Sequence, residues 1–311
     1  MAATQFTRVE QRRLAEFVDR TNEMKVYTDV LDKGERQIMV VHAEVGMGKT
    51  SLLLRMVHEC ALRNLRKAEV VWTDTGVKDY MAVLRKLRDD LGVEHFAAFT
   101  DLINFYTDAN YQPKLDININ VQGTIQVAQG AQISGSNVGD IAGVVLRDNM
   151  FNVQRADIAV PDDVRREQLT QRFLDGLREL SASGDCVVLF FDAVEKMSDD
   201  DITYKWFWEQ LLTPVRDELA NVRAVLCGQR PPPEDRDWGS DYVAVAELKP
   251  LGIDDIDAYI AKRMGDSGLT DDTRRQLAMM VLGTTNGTPA AVAVAVDGYQ
   301  KIYENLASAG R

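Results

Sequence analysis

A glycine-rich turn between an apolar run and an amphipathic segment constrains this chain more than any other feature. The turn reads Ala43-Glu44-Val45-Gly46-Met47-Gly48-Lys49-Thr50, after the run Ile38–Val41 and before the segment Ser51–Met56. This order predicts a strand, a tight loop and a helix that begins near Lys49. Backbone N–H groups of such a loop and the positive end of the helix dipole attract an anion. The turn therefore predicts a phosphate-binding loop in an α/β fold.

The loop residues have different expected roles. Lys49 is expected to reach the terminal phosphates of a nucleotide, and the hydroxyl of Thr50 to hold Mg²⁺. Ala43 stands where the usual pattern has glycine, and alanine disfavours positive φ, so we expect a small difference at the loop entry. The residues expected to contact the nucleotide here are Glu44, Val45, Gly46, Met47, Gly48, Lys49, Thr50 and Ser51.

A second acidic site follows the apolar run Val187–Phe191, which ends in Asp192. A carboxylate there suits the carboxyl edge of a parallel sheet, on a strand next to the loop strand. We expect Asp192 to hold Mg²⁺ through its waters together with Thr50. Glu195 is the candidate for orienting or deprotonating the attacking water, and a solvated acid at a helix start is the alternative. For Asp192 the alternative is a strand-end turn residue.

A basic residue follows the next predicted strand, Val222–Leu226. Arg230 at that edge could touch the γ-phosphate and sense its loss. The alternative is a surface arginine in a loop. Lys49, Asp192, Glu195 and Arg230 therefore form the predicted catalytic set.

Strands that alternate with helices predict a mainly parallel sheet with helices on both faces, followed by a small helical lid. The segment Leu115–Val153 breaks this pattern, because its apolar β-branched residues alternate with polar residues and with glycines. We expect there an inserted β-rich segment that contacts another chain, or else an exposed or disordered loop. The predicted division is 1–24 for an N-terminal helix and nucleotide-entry segment, 25–114 with 154–250 for the α/β domain, 115–153 for the insertion, and 251–311 for the lid.

Composition narrows the class of protein. The formal net charge is −12, which argues against proteins that bind duplex nucleic acid or anionic membranes through a positive field. No stretch resembles a membrane span or a secretion signal, and Cys60, Cys186 and Cys227 lack metal-ligand spacing. We expect a cytoplasmic protein with reduced cysteines and without a membrane partner; a nucleic-acid partner is disfavoured, although a local basic groove stays open.

Four motifs together resemble the STAND class of signal-transduction ATPases, which are relatives of the AAA+ proteins. The phosphate loop is one of them. The segment Phe17–Glu23 is similar to the signature that precedes this loop, with Asp19 in place of Gly and Thr21 in place of Glu. Phe191–Glu195 resembles the second acidic motif of the class, and Thr285–Ala291 resembles its Gly-x-Pro motif.

The resemblance implies ATP or ADP with Mg²⁺ as cofactors, a place for Arg20 in nucleotide binding, and Pro289 near the adenine. Thr288 as a helix cap and Pro289 as the first helical residue agree with it. It further implies slow hydrolysis that resets an assembly switch, in a role such as bacterial conflict or defence signalling. Sensor and effector functions are expected on separate protein chains.

The residues leave two other functions open. A scaffold that keeps a nucleotide for stability alone is compatible with Ala43 and with the lack of an acid directly after Asp192. A nucleic-acid remodelling ATPase is disfavoured by the net acidity of the chain. Nucleotide-dependent self-assembly is the partner expectation of the switch hypothesis.

Overall fold

The computed structural model describes residues 6–74, 76–77, 79–108, 125–126, 132–133, 160–182, 184–197, 202–232, 238–239, 241–265 and 268–309. Within these ranges the strands are β1 (Ile38–His42), β2 (Arg66–Val71), β3 (Ile125–Gln126), β4 (Gln132–Ile133), β5 (Val187–Asp192), β6 (Val222–Gly228) and β7 (Val243–Glu247). The helices before β5 are α1 (Arg8–Ala15), α2 (Thr21–Lys33), α3 (Lys49–Leu62), α4 (Tyr80–Leu91), α5 (Ala97–Thr107) and α6 (Asp162–Ser181). Those after it are α7 (Ile202–Trp206), α8 (Thr213–Asp217), α9 (Ile253–Arg263), α10 (Asp271–Thr285) and α11 (Pro289–Ala309).

A five-stranded parallel sheet forms the centre of the molecule, in the order β2-β5-β6-β1-β7. Strands β5 and β6 are buried along their whole length, as expected for inner strands of a sheet covered on both faces. The predicted parallel α/β sheet is therefore confirmed. One detail is wrong: β5 is not the neighbour of β1, because β6 lies between them.

Alternate residues of β1 enter two different hydrophobic cores. Ile38 and Val40 pack in the core with Leu87 of α4, whereas Met39 and Val41 pack in the core with α3. This alternation follows from the period of two along a strand. The phosphate-loop strand is therefore held from both faces of the sheet.

The C-terminal helices α9, α10 and α11 pack around a third core, which includes Ile260, Val281 and Val296. The helical C-terminal region is thus confirmed, and the exact domain bounds stay a prediction. The β-rich insertion lies almost entirely outside the described residues. Within it, β3 pairs with β4 in antiparallel orientation.

Two smaller features concern side chains of the α/β region. A stretch of π-helix, Phe207–Leu212, follows α7 and puts more residues into each turn, so the angle between successive side chains is smaller than in an α-helix. Consecutive aromatic residues Trp206, Phe207 and Trp208 are consequently all buried.

Cys60 and Cys227 are buried, Cys186 is half-buried, and all three are free thiols. In the described part of the chain, no helix is both long and apolar enough to cross a membrane.

Candidate functional site

The loop after β1 has the backbone of a phosphate-binding turn. Gly46 and Gly48 have φ values of 84° and 88°, a left-handed conformation that strains other residues. Ala43 does not have a positive φ, and its N–H donates to the carbonyl of Gly228 at 3.2 Å. Alanine therefore introduces no backbone strain at the loop entry.

Helix α3 begins at Lys49, directly after the loop. Its first-turn N–H groups have no carbonyl partner inside the helix, and Gly48 before them supplies no side-chain cap. The ammonium group of Lys49 donates to the carbonyls of Ala43 at 2.6 Å and Glu44 at 2.9 Å. The ammonium group of Lys49 and the N-terminus of α3 thus lie at one end of the same loop. This arrangement suits a polyphosphate.

Thr50 and Asp192 meet at the carboxyl edge of the sheet. The Thr50 hydroxyl donates to Oδ2 of Asp192 at 3.1 Å, and the N–H of Ala193 donates to Oδ1 at 2.8 Å. Helix α3 packs across both β6 and β5, so its first turn reaches Asp192 although β6 separates the strands. Asp192 is only 7% exposed, and this burial raises its pKa above the ordinary value.

Glu195 reaches the same edge by a tight turn. Ala193 adopts a left-handed conformation with φ 58°, and a short 3₁₀ helix, Val194–Lys196, follows it. Oε1 of Glu195 accepts a hydrogen bond from Nε2 of Gln229 at 3.0 Å, whereas Oε2 is buried without a partner among the described residues. The turn therefore places a half-unsatisfied carboxylate beside Asp192.

Gln229 is a site residue that sequence reasoning missed. It follows β6 directly and lines the cleft. The next residue, Arg230, is exposed and lines a second cavity of about 280 Å³, which shares Glu195 with the cleft. Both residues follow the same predicted strand, so the position of Gln229 at the end of that strand could have indicated its place in the site. The contact of Arg230 with a γ-phosphate stays a prediction.

Loop, acidic edge and lid enclose a cleft of about 1020 Å³, a size that accommodates a nucleotide. Sequence reasoning placed Pro289 of the lid at this cleft, but it missed α1 and the other lid residues of the lining. Arg8 and Arg12 are one helical turn apart, a spacing that could have indicated a shared face. The residues that α1 and the lid add to the lining are Arg8, Val9, Arg12, Arg13, Leu251, Tyr259, Pro289, Ala290, Val292, Ala293 and Asp297.

The first turn of α11 lies directly on the phosphate loop. The N–H of Ala290 donates to the carbonyl of Gly46 at 3.1 Å, and a Cβ added to Gly48 would lie 3.8 Å from Pro289. Helix α11 begins at Pro289, so the predicted helix start is confirmed. The place of Pro289 near an adenine stays a prediction.

Arg20 joins the N-terminal segment to both the loop and the lid connection. Its guanidinium donates to the carbonyl of Met47 at 3.2 Å and to the carbonyl of Lys249 at 2.9 Å. The residue is 5% exposed, and it lines the cleft as well. The structure thus brings Arg20 to the site, where it contacts the loop backbone.

The donor set suits Mg²⁺ with a nucleotide. The described residues contain no group of three or more His, Cys, Asp and Glu side chains that could hold a metal by themselves. A hydroxyl and one carboxylate, Thr50 and Asp192, match the preference of Mg²⁺ for a few oxygen ligands, several waters and substrate phosphates. The left-handed glycines and Lys49 supply the matching phosphate cradle.

Comparisons with known proteins agree with this fold. No family model and no curated protein matches the sequence. The chain is similar to the Walker-type ATPase of Pyrococcus abyssi, with a TM-score of 0.50 and 12% identity over 90% of this chain and 67% of that one. Cdc6p from Pyrobaculum aerophilum is similar with a TM-score of 0.50 and 10% identity, over 97% of this chain and 67% of that one. The Drosophila ORC bound to DNA is similar with a TM-score of 0.50 and 14% identity, over 89% of this chain and 60% of that one.

The chain therefore has the fold of Walker-type, AAA+ P-loop ATPases, with a five-stranded parallel sheet and a helical C-terminal region. One protein with this fold is bound to DNA in its structure. The fold thus gives no support to the expectation that disfavours nucleic acid, which rests on the net acidity of the sequence and on its lack of a basic or aromatic-rich strand-binding stretch.

Proposed function

We propose that the chain is an ATP-dependent regulatory switch. ATP and Mg²⁺ bind in the cleft between the phosphate loop and helix α11, slow hydrolysis follows, and the bound nucleotide controls assembly. The observation that carries the proposal is the hydrogen bond between Thr50 and Asp192 at the mouth of a glycine loop that also bears Lys49. Few other chemistries need these three groups at one sheet edge.

Each side chain has a defined task in this proposal. Lys49 and the loop N–H groups bind the β- and γ-phosphates, and Thr50 with Asp192 holds Mg²⁺, which neutralises charge on the phosphate oxygens. Glu195 orients the attacking water and accepts its proton. Its contact with Gln229 fixes one carboxylate oxygen, and Oε2 is the oxygen that has no hydrogen-bond partner among the described residues.

The switch part of the proposal rests on the lid. Because the N–H of Ala290 binds the carbonyl of Gly46, a change in the loop on nucleotide exchange acts on α11 directly. The resemblance to STAND ATPases supports the direction, in which ATP favours assembly and ADP favours a closed, inactive form. Separate sensor and effector chains, and a role in bacterial conflict or defence signalling, belong to the same proposal.

Equilibrium binding and turnover test this proposal together. Wild-type protein should bind ATP and ADP with Mg²⁺ and release phosphate slowly, and Lys49→Ala should do neither. Tight ADP that does not exchange, with no detectable turnover, would instead favour the scaffold that keeps a nucleotide for stability. Absence of any nucleotide binding by the wild-type protein would remove both.

A nucleic-acid remodelling ATPase is the second candidate, because the Drosophila ORC has this fold and is bound to DNA in its structure. The same turnover assay separates the two candidates. Phosphate release that rises on addition of DNA or RNA would favour remodelling. Release that is unaffected by nucleic acid would favour the switch.

A further inference from the structure

Two successive peptide groups of the phosphate loop are held from outside the loop. The carbonyl of Gly46 accepts from the N–H of Ala290 at 3.1 Å, and the carbonyl of Met47 accepts from the guanidinium of Arg20 at 3.2 Å. No peptide bond in the described chain is cis. In a trans peptide, the carbonyl and the following N–H point in opposite directions. The hydrogen bond from Arg20 fixes the direction of the Met47 carbonyl. The N–H of Gly48 therefore points to the opposite side of the Met47–Gly48 peptide.

Arg20 occupies this position at a cost in backbone strain. Asp19 and Arg20 adopt φ values of 59° and 71°, and two left-handed residues in succession are unusual outside glycine. Burial of the guanidinium is offset by carboxylates of Glu23 at 3.5 Å and Asp19 at 3.9 Å. Strain of this kind persists where the surroundings over-determine it, which is consistent with a functional contact.

We propose that Arg20 is a positioning residue for phosphate binding, rather than a group that touches the nucleotide. It holds the Met47–Gly48 peptide so that the Gly48 N–H faces the phosphate. Through its second bond, to the carbonyl of Lys249 at 2.9 Å, it also ties this peptide to the segment that leads into the lid. The inference rests on the proposed function, because it concerns the same phosphate site.

The chain offers a matched control for this residue. Arg223 is also a buried arginine whose guanidinium donates to main-chain carbonyls, those of Val30, Ala220 and Val222. It lies in β6 and does not line the cleft. Arg20→Met and Arg223→Met should both lower thermal stability, so only a phosphate-specific readout separates positioning from support of the fold.

The first readout needs no ligand. Labelling methionine with ¹³C at the carbonyl and glycine with ¹⁵N selects two peptide bonds in this sequence, Met47–Gly48 and Met264–Gly265. We expect the Gly48 amide signal to move in Arg20→Met and the Gly265 signal to stay. In Arg223→Met both signals should stay. An unmoved Gly48 signal in Arg20→Met would overturn the proposal.

The second readout is calorimetric binding of inorganic tripolyphosphate, which has neither base nor ribose. We expect Arg20→Met to weaken it by about tenfold, the effect of losing the one hydrogen bond from the Gly48 N–H to a charged phosphate oxygen. Arg20→Lys, which keeps a donor, should lose less, and Arg223→Met should not change it. Equal weakening of ADP and tripolyphosphate is expected, whereas weakening of ADP alone would assign Arg20 to the base or ribose and overturn the proposal.

The two readouts separate the possible failures. A wild-type protein that binds neither ADP nor tripolyphosphate contradicts the proposed function, and the Gly48 signal then still decides whether Arg20 orients the loop. A Gly48 signal that moves while tripolyphosphate affinity stays the same contradicts the positioning role alone. If Arg20→Met does not fold, Arg20→Lys supplies both measurements.

Discussion

The hydroxyl of Thr50 donates a hydrogen bond of 3.1 Å to Oδ2 of Asp192, although 142 positions separate the two residues in the chain. Their strands are not neighbours, since β6 lies between β1 and β5. The contact forms because α3 crosses the sheet face from the loop towards β5. One intervening strand therefore leaves room at the sheet edge for a third polar residue, Gln229, beside Glu195.

Lys49→Ala should abolish nucleotide binding. Loss of an ammonium that bonds phosphate oxygens removes about 3 kcal/mol, on the order of 100-fold in Kd. Calorimetric titration with ADP and Mg²⁺ measures the change, and the exposed Lys33→Ala serves as the control. Equal affinities of wild type and Lys49→Ala would show that the loop does not bind phosphate.

Glu195→Gln should keep ATP and lose its hydrolysis. Glutamine cannot accept the proton of the attacking water, so we expect phosphate release to fall by about 10²–10⁴-fold while Kd changes little. Single-turnover release of phosphate measures this, with the exposed Glu209→Gln as the matched control. Normal release by Glu195→Gln would remove the residue from the mechanism.

Asp192→Asn should change how stability depends on pH. Burial raises the pKa of Asp192 in the folded protein, so its contribution to stability is present below the unfolded pKa and is lost as pH rises through the folded pKa. Asparagine stays neutral, and the Tm of the variant relative to wild type should therefore increase as pH rises from about 4 towards 7. Calorimetric scans without nucleotide measure the difference, and exposed Asp241→Asn gives the background. A decreasing difference would contradict the assigned direction.

Gly287→Ala should destabilise the connection between the lid and the loop. Gly287 has a φ of 71°, and an added Cβ would lie 2.3 Å from the carbonyl oxygen of Leu251. Strain and steric overlap together should cost about 1–3 kcal/mol. Thermal unfolding measures it against Gly283→Ala, whose Cβ meets no atom within 4 Å and which should stabilise α10 by up to about 1 kcal/mol. A Tm that is equal in both variants would contradict this account.

The sequence was most informative where local chemistry and tertiary structure agree. The loop, the run that ends in Asp192 and the helix start at Pro289 each depend on neighbours within a few residues, and their predicted types are those of the structure. The order of the strands in the sheet could not be predicted in this way, because no local sequence feature indicates that β6 lies between β1 and β5. Gln229 was missed for that reason, since its role depends on the partner Glu195.

Other features of the site depend on contacts distant in sequence. Arg20 was predicted near the nucleotide through a motif, but its bonds to Met47 and Lys249 depend on how α2, the loop and β7 meet. Trp206 at the end of α7 and the two aromatic residues that follow it are all buried where the chain turns π-helical, which a period of 3.6 does not predict. The role of the β-rich insertion remains a prediction.

The central claim is that bound nucleotide controls assembly, and molar mass by light scattering tests it most directly. Purified protein is measured in ADP and in a non-hydrolysable ATP analogue, both with Mg²⁺, beside Lys49→Ala. The account predicts a larger mass only for the wild type in the ATP analogue. The same mass in both nucleotides, with binding of each shown by calorimetry, would contradict it.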